Sequence, residues 1–223
     1  MALVAFGPAA EMRAEGRLGA LDHHAVVLNG EIVGSAFLVD GDVAVTNRHV
    51  VRGLRPGDMV VLLGSRAGGG SAEGRVIAVS PRMDLALLRV PPGFLPAVGR
   101  EDAPERAGLT VTAAGIDAGD GGAGARLALS GVVLDPREDI AAFGPGLVAW
   151  LPGARPGFSG GPMLDERGRF VGMVTAIRPG GAAGTMAIAG GGAESGRAAV
   201  EAFVLRAAVL RAEVRRLLAA AVH

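Results

Sequence analysis

The sequence contains no cysteine and no lysine. Without cysteine, disulfide bonds, thiolate metal sites and a cysteine nucleophile are all excluded. The 22 basic residues are all arginine and are balanced by 22 acidic residues, so the formal net charge is zero. Because no excess of basic side chains is available to neutralise phosphates, we expect no nucleic-acid partner.

Long hydrophobic runs and histidine clusters are also missing. The sequence has no apolar run of the roughly 18 residues that a membrane span requires, so we expect no such span. Residues 1–20 form an N-terminal segment whose apolar stretch lacks a preceding basic residue and contains Pro8, which favours a cytoplasmic protein over a secreted one. His23 and His24 would point to opposite faces of a strand, so we expect no metal site.

Glycine and proline are abundant, with 37 and 13 residues. They separate short runs rich in Val, Leu and Ala, a pattern that predicts an all-β protein built as a sandwich or barrel. Asn29-Gly30 between two such runs is a hairpin turn signal. The predicted strands lie at 24–29, 32–39, 43–46, 59–63, 75–79 and 84–90, and then near 109–115, 126–134, 147–151, 162–165, 169–177 and 201–206.

A proline-rich, charged stretch at 93–108 interrupts the strand pattern and predicts a linker between two β-rich halves, 21–92 and 109–206. Residues 207–221 differ in kind, because apolar side chains recur there at helical spacing. They predict a C-terminal amphipathic helix packed on the β body, with docking to a partner or to a membrane surface as the alternative.

Ser159 stands in the sequence GFSGGP. A hydroxyl is a weak nucleophile that needs a neighbouring base. Glycines permit a sharp turn that exposes such a side chain, and the same turn can aim the N–H groups of Gly157 and Ser159 at one point, where they would hold an oxyanion. A glycine-rich hairpin with an idle serine is the alternative.

His49 follows an apolar strand in TNRHVV, and Asp84 begins the apolar run DLALL. Imidazole exchanges protons near neutral pH, so His49 is a candidate general base. A carboxylate next to a buried strand is costly unless it is paired, so Asp84 is a candidate partner that orients His49. A structural histidine and a solvated turn aspartate are the alternatives.

Together these segments resemble those of the trypsin-like serine peptidases. TNRHVV, DLALL and GFSGGP occur in the order His, Asp, Ser, with Asp84 35 positions after His49 and Ser159 75 positions after Asp84. GSAFLV and FVGMVTA fit the same pattern. The resemblance covers about residues 24–206 and is greatest to the bacterial HtrA-like branch, without its peptide-binding PDZ module. It implies two six-stranded antiparallel β-barrels followed by the C-terminal helix.

The resemblance also implies an activity. It predicts a serine endopeptidase that hydrolyses polypeptides through a triad of His49, Asp84 and Ser159 and an acyl-enzyme, without a cofactor. The N–H groups of Gly157 and Ser159 would form its oxyanion hole. Relatives are often exported, so a periplasmic or secreted location is the alternative to the cytoplasm, and the oligomeric state is left open.

Two residues depart from the family pattern. Phe158 stands where digestive members carry an acid that pairs with a freed N-terminus, so we expect that no activating cleavage is needed. Arg48 replaces a small residue before the histidine and is large enough to shield the base. These departures favour the main alternative, a catalytically silent peptidase-like module that binds peptides. An esterase that uses the same triad is a second alternative.

The resemblance further implies a substrate pocket lined by 153–158, 175–177 and part of 186–192. Thr175, Ala176 and Ile177 would offer a strand edge to an extended substrate. Gly153 carries no charge where trypsin has an acid, and Ile177 would narrow the pocket mouth, so we predict cleavage after small aliphatic residues. The glycine-rich loop 178–198 would gate this pocket.

Overall fold

The computed structural model describes residues 19–64, 70–117, 124–179 and 200–221. Nearly all of the N-terminal segment 1–20 lies outside the described residues. So do most of the predicted gating loop 178–198 and the whole predicted pocket wall 186–192.

The first barrel is closed and antiparallel, with the strand order β1-β2-β3-β6-β5-β4. A 3₁₀ turn, Ala20–His23, leads into it. Its strands are β1 His24–Asn29, β2 Ile32–Asp40, β3 Val43–Thr46, β4 Met59–Gly64, β5 Ser71–Val79 and β6 Ala86–Arg89. The predicted Asn29-Gly30 turn joins β1 to β2, whose register pairs Asn29 with Ile32.

The second barrel is also closed, with the strand order β10-β11-β12-β9-β8-β7. Its strands are β7 Thr110–Ile116, β8 Arg126–Ile140, β9 Gly144–Trp150, β10 Pro162–Asp165, β11 Phe170–Pro179 and β12 Val200–Arg206. The helix α1, Ala207–Ala221, follows β12 directly. The predicted all-β fold of two six-stranded antiparallel barrels with a C-terminal helix is confirmed.

Several strand boundaries differ from the sequence prediction, and two of the differences have a clear physical reason. β5 begins at Ser71, inside the predicted loop 64–74, because its first half pairs with β4 and alternates between exposed and buried positions. β8 continues past Pro136 to Ile140, and two register shifts absorb the proline. Asp84 precedes β6 instead of beginning it.

Buried side chains form one cluster inside each barrel and a third between the barrels. In the third cluster, the rings of Phe37 from the first barrel and Phe170 from the second lie 5.3 Å apart. Leu210, Val214 and Leu217 of α1 are buried in the same cluster. The helix therefore packs on the barrel junction.

Charged contacts fix α1 against the body. Arg211 donates to Asp102 at 2.8 Å, and its guanidinium lies 5.1 Å above the ring of Phe170. On the other side of the helix, Glu213 accepts a 2.6 Å hydrogen bond from the hydroxyl of Ser80. Within the part of the chain that the structure describes, no helix combines the length and apolar character needed to cross a membrane.

Candidate active site

The segment before Ser159 is a tight turn. Phe158 N–H donates to the Arg155 carbonyl at 3.2 Å, and Pro156 and Gly157 occupy the central positions. Gly157 has φ +104°, which identifies a type II turn and explains why glycine occupies this position. Among the described residues, neither Gly157 N–H nor Ser159 N–H donates a hydrogen bond to the protein. Both donors are therefore available to a ligand at the turn.

Phe158 anchors this turn from below. Its side chain is fully buried in the core of the second barrel and packs closely on Gly115 of β7. Where digestive members of the family carry an acid that pairs with a freed N-terminus, Phe158 makes apolar contacts.

Ser159 is held against the first barrel. Ser35 N–H in β2 donates to the Ser159 carbonyl at 2.8 Å. At Gly160, a Cβ would lie 2.0 Å from the Ser35 carbonyl oxygen and 2.7 Å from Thr46 Oγ1, so no larger residue fits without movement. The second glycine of the GFSGGP motif is required by this close approach between the barrels.

His49 and Asp84 are in direct contact. Nδ1 of His49 lies 2.6 Å from Asp84 Oδ2, and His49 N–H donates to Asp84 Oδ1 at 3.0 Å. The Asp84 side chain is almost fully buried, whereas the His49 side chain is 37% exposed. One carboxylate therefore fixes both the backbone and the ring of His49, with the far edge of the ring available to solvent.

Asn47 supports this pair from the interior. It is fully buried, and its Nδ2 donates to the Asp84 carbonyl at 2.8 Å and to Thr175 Oγ1 at 3.3 Å. Its Oδ1 is buried without a hydrogen-bond partner among the described residues. Asn47 thus links the Asp84 segment of the first barrel to β11 of the second, a role that the sequence did not indicate.

The Ser159 hydroxyl is hydrogen-bonded to β11 in this structure. Ser159 Oγ donates to the Thr175 carbonyl at 3.3 Å, a long distance for an O–H···O hydrogen bond. No hydrogen bond between the Ser159 and His49 side chains occurs among the described residues. The structure brings His49 and Asp84 together, whereas the Ser159 hydroxyl is turned toward β11.

Arg48 lies beside His49. It is exposed, and its guanidinium reaches toward the Ser80 carbonyl at 3.5 Å. It lines a cavity of about 540 Å³ together with His49, Arg52 and Phe143. The cavity gives access to the His49 ring.

The predicted substrate residues occupy different environments. Ala176 and Ile177 line a second cavity of about 230 Å³, together with Phe143 and Phe203. Thr175 is buried, and its hydroxyl donates to the Met173 carbonyl.

Gly153 lies in a turn after β9 with φ +86° and is not among the described residues that line this cavity. The predicted wall at 186–192 falls outside the described residues.

One edge of β11 is open near Ser159. β11 pairs with β12 along Gly172–Pro179, whereas its pairing with β10 ends at Met173. Beyond Val174, which exchanges hydrogen bonds with Gly160 and Gly161, no strand of the described residues pairs with this edge.

Titratable groups in the site form pairs, not metal clusters. Among the described residues, no group of three or more His, Asp or Glu side chains is arranged to hold a metal ion.

Two functional neighbours escaped the sequence reasoning. His24 was considered only as a metal ligand, and Ser35 only as part of the GSAFLV resemblance. Both are fully buried. Ser35 contacts the turn that precedes Ser159, and His24 contacts Ser35. Their polar character inside an apolar strand pattern was the available signal.

Comparison with solved structures shows the same fold in bacterial proteases. The Rv3671c protease from M. tuberculosis in its active form is 21% identical, with 89% of this chain and 82% of that chain aligned and a TM-score of 0.60. The HtrA-type protease AlgW with a tripeptide is 19% identical, covers 88% of this chain and 60% of its own, and has a TM-score of 0.68. The serine endoprotease from Yersinia pestis is 17% identical, with 88% and 63% aligned and a TM-score of 0.62.

No curated protein matches the sequence significantly. The sequence model of the trypsin-like peptidase domain, however, matches residues 34–173, well over half of the chain. This match includes the segments of His49, Asp84 and Ser159, and it supports a serine-type peptidase that acts on peptides. The chain belongs to the trypsin-like peptidase family.

Proposed function

We propose that this chain is a serine endopeptidase in which Asp84 orients His49 and His49 activates Ser159. The 2.6 Å contact between His49 Nδ1 and the buried Asp84 carboxylate carries the proposal. A buried carboxylate that accepts from Nδ1 holds the imidazole in the tautomer whose Nε2 is free to take a proton. The exposed edge of the ring makes that nitrogen available to the cleft.

The nucleophile requires one side-chain rotation. Among the described residues, Ser159 Oγ is held only by the long hydrogen bond to the Thr175 carbonyl, so rotation about χ1 toward His49 costs little. After rotation, His49 takes the hydroxyl proton as Ser159 attacks the substrate carbonyl. His49 then protonates the leaving amine, and water hydrolyses the acyl-enzyme by the same route in reverse.

The tetrahedral oxyanion would be held by the N–H groups of Gly157 and Ser159. Their lack of hydrogen-bond partners within the described residues and the type II turn at Gly157 support this role. A donor of this kind is worth roughly 100- to 1000-fold in rate. Every group used in these steps belongs to the protein, so the mechanism needs no cofactor.

The substrate would bind as an added strand on the open edge of β11, with main-chain hydrogen bonds to residues 175–177. Ile177 and the uncharged Gly153 support a preference for small aliphatic side chains before the scissile bond. Cleavage of a peptide library checks this preference, and dominant cleavage after Arg or Lys would overturn it.

Labelling with a fluorophosphonate tests the proposed nucleophile. We expect wild-type protein to be labelled at Ser159 near neutral pH and Ser159→Ala to be unlabelled. Casein hydrolysis then distinguishes an endopeptidase from an esterase. Absence of labelling in folded wild-type protein, shown by circular dichroism, would contradict the proposal.

The orientation of Ser159 favours one second candidate, a peptide-binding module without turnover. If the hydroxyl stays on the Thr175 carbonyl, His49 cannot activate it. If the chain is such a module, wild-type protein and the Ser159→Ala variant should bind peptides with equal affinity. Wild-type protein should then neither react with the fluorophosphonate nor hydrolyse casein.

A further inference from the structure

A continuous chain of hydrogen bonds runs from a half-buried arginine of the second barrel, through two fully buried residues of the first, to the turn before Ser159. Arg126 Nη1 lies 3.2 Å from His24 Nδ1, and His24 Nε2 lies 2.8 Å from Ser35 Oγ. Ser35 Oγ lies 2.7 Å from the Gly157 carbonyl oxygen. His24 and Ser35 are fully buried, so neither can exchange these partners for water.

The direction of every proton in this hydrogen-bond chain is fixed by its ends. A carbonyl oxygen only accepts, so the Ser35 hydroxyl donates to Gly157. Ser35 Oγ must then accept from His24 Nε2–H. A guanidinium only donates, so His24 Nδ1 accepts from Arg126. All three hydrogen bonds therefore point toward the Gly157 carbonyl, and they require a neutral His24.

The surroundings keep His24 neutral. Burial, and then the positive charge of Arg126, lower the pKa of His24 from 6.5 to about 3. Arg126 is itself held by three carbonyl oxygens of the first barrel, those of His24, Leu63 and Gly64, at 2.6–3.1 Å. No carboxylate is paired with Arg126 among the described residues, so its charge acts on the imidazole without a competing anion.

Ser35 holds both residues of the proposed oxyanion hole. Its N–H donates to the Ser159 carbonyl at 2.8 Å, and its hydroxyl donates to the Gly157 carbonyl at 2.7 Å. The Gly157 carbonyl has one further contact, a long 3.5 Å hydrogen bond from Ile116 N–H. The hydroxyl of Ser35 is thus the shortest restraint on the residue whose own N–H would face the oxyanion.

We propose that Arg126, His24 and Ser35 are positioning residues that hold the Gly157 carbonyl inward and thereby keep the oxyanion-hole turn in its open, type II form. This inference rests on the proposed function, because it assigns a role to Gly157 in that mechanism. The three residues touch no reacting atom. They act through Gly157.

Four variants test the proposal. Ser35→Ala removes the donor to Gly157, and His24→Leu removes the donor to Ser35. His24→Gln retains an N–H at similar reach and an oxygen that can accept from Arg126. The matched control is His23→Leu, which removes the adjacent buried histidine and its hydrogen bond to the Pro96 carbonyl without touching Ser35.

Kinetics on a peptide substrate give the first readout. We expect Ser35→Ala to lower kcat about 10- to 100-fold with little change in KM, since loss of a complete oxyanion donor costs roughly 100- to 1000-fold. His24→Leu should lower kcat similarly, His24→Gln should recover most of the loss, and His23→Leu should match wild type. A peptidyl boronic acid, which forms a tetrahedral adduct, should lose affinity for Ser35→Ala in proportion to kcat.

The amide NMR resonance of Gly157 gives a readout that does not depend on turnover. It should shift in Ser35→Ala and His24→Leu and stay unchanged in His23→Leu. An unchanged Gly157 resonance with wild-type kcat in both variants would overturn the proposal, as would an equal loss of kcat in His23→Leu. If Ser35→Ala does not fold, comparison of His24→Leu with His24→Gln tests the proposal instead. Equal kcat values in these two variants would overturn the proposal.

The two proposals fail separately. Unlabelled wild-type protein would refute the proposed endopeptidase, and the Gly157 resonance alone would then decide whether the chain positions the turn.

Discussion

At the scale of single residues, Phe158 shows how the turn before the proposed nucleophile Ser159 is anchored without a charge. Its ring fills the core of the second barrel and lies against Gly115. An aspartate at this position would place a carboxylate in an apolar core.

We expect Phe158→Ala to lower the free energy of unfolding by about 3–5 kcal/mol, because it leaves a cavity in a closely packed core. Phe158→Leu should cost only about 1–2 kcal/mol, since it retains most of the volume. Urea unfolding followed by tryptophan fluorescence measures both. Equal stability of Phe158→Ala and wild type would show that the ring does not anchor the turn.

The sequence motifs identified the candidate residues, but they could not predict the side-chain orientation of Ser159, the proposed nucleophile. Glycine spacing and the order of His49, Asp84 and Ser159 can be recognised directly in the amino-acid sequence. The rotamer of Ser159 depends on the Thr175 carbonyl, and the role of Asn47 depends on a contact between barrels. Both depend on contacts between residues far apart in the sequence, which the spacing of residues within a motif does not reveal.

At the scale of elements, α1 supports the loop that carries Asp84. The Ser80 hydroxyl donates to Glu213 Oε1 at 2.6 Å and accepts from the N–H groups of Arg82 and Met83. The hydrogen bonds of Glu213 with Arg216 and Ser80 hold the pKa of its carboxyl below its usual value, despite burial. The helix and the Asp84 loop are therefore joined through one carboxylate.

Replacing Glu213 should loosen this joint. We expect Glu213→Ala to lower the free energy of unfolding by about 2 kcal/mol, because it leaves the buried Ser80 hydroxyl without an acceptor. Glu213→Gln keeps an acceptor and should lose roughly half as much. Chemical unfolding at neutral pH measures both, and a loss in Glu213→Gln as large as in Glu213→Ala would argue against the Ser80 contact.

Hydrophobic patterning predicted the strands of both barrels, and it misplaced those that carry glycine, proline or polar residues. β5 begins in a Gly/Ser-rich stretch because its partner β4 supplies hydrogen bonds that its own side chains do not predict. β8 passes through Pro136 because its register shifts there. Tertiary pairing, which local propensity does not report, decides both cases.

At the scale of the whole molecule, the buried His24 makes stability depend on pH. The folded protein binds a proton at His24 only near pH 3, whereas the unfolded chain does so near pH 6.5. As pH falls below 6.5, the unfolded state gains protons that the folded state does not, so stability falls. Above pH 6.5 this group has no further effect.

We expect the free energy of unfolding to decrease by up to about 1.4 kcal/mol per pH unit between roughly pH 6.5 and pH 5. His24→Gln should flatten this slope. The carboxyl pKa values of Asp165 and Glu213 are lowered, so these groups change the free energy of unfolding only at more acidic pH. Urea titrations of both proteins across the window measure the slope, and parallel curves would exclude His24 as its source.

The backbone hydrogen bond from Ser35 to Ser159 joins the two barrels at the proposed nucleophile. Any separation of the halves, however slight, would displace Ser159 before it disturbed a single strand. On heating, reactivity toward an active-site label should therefore vanish at a lower temperature than the β-sheet signal in circular dichroism. Labelling would then measure whether the two barrels are docked, whereas the circular dichroism signal would measure only whether each sheet is intact.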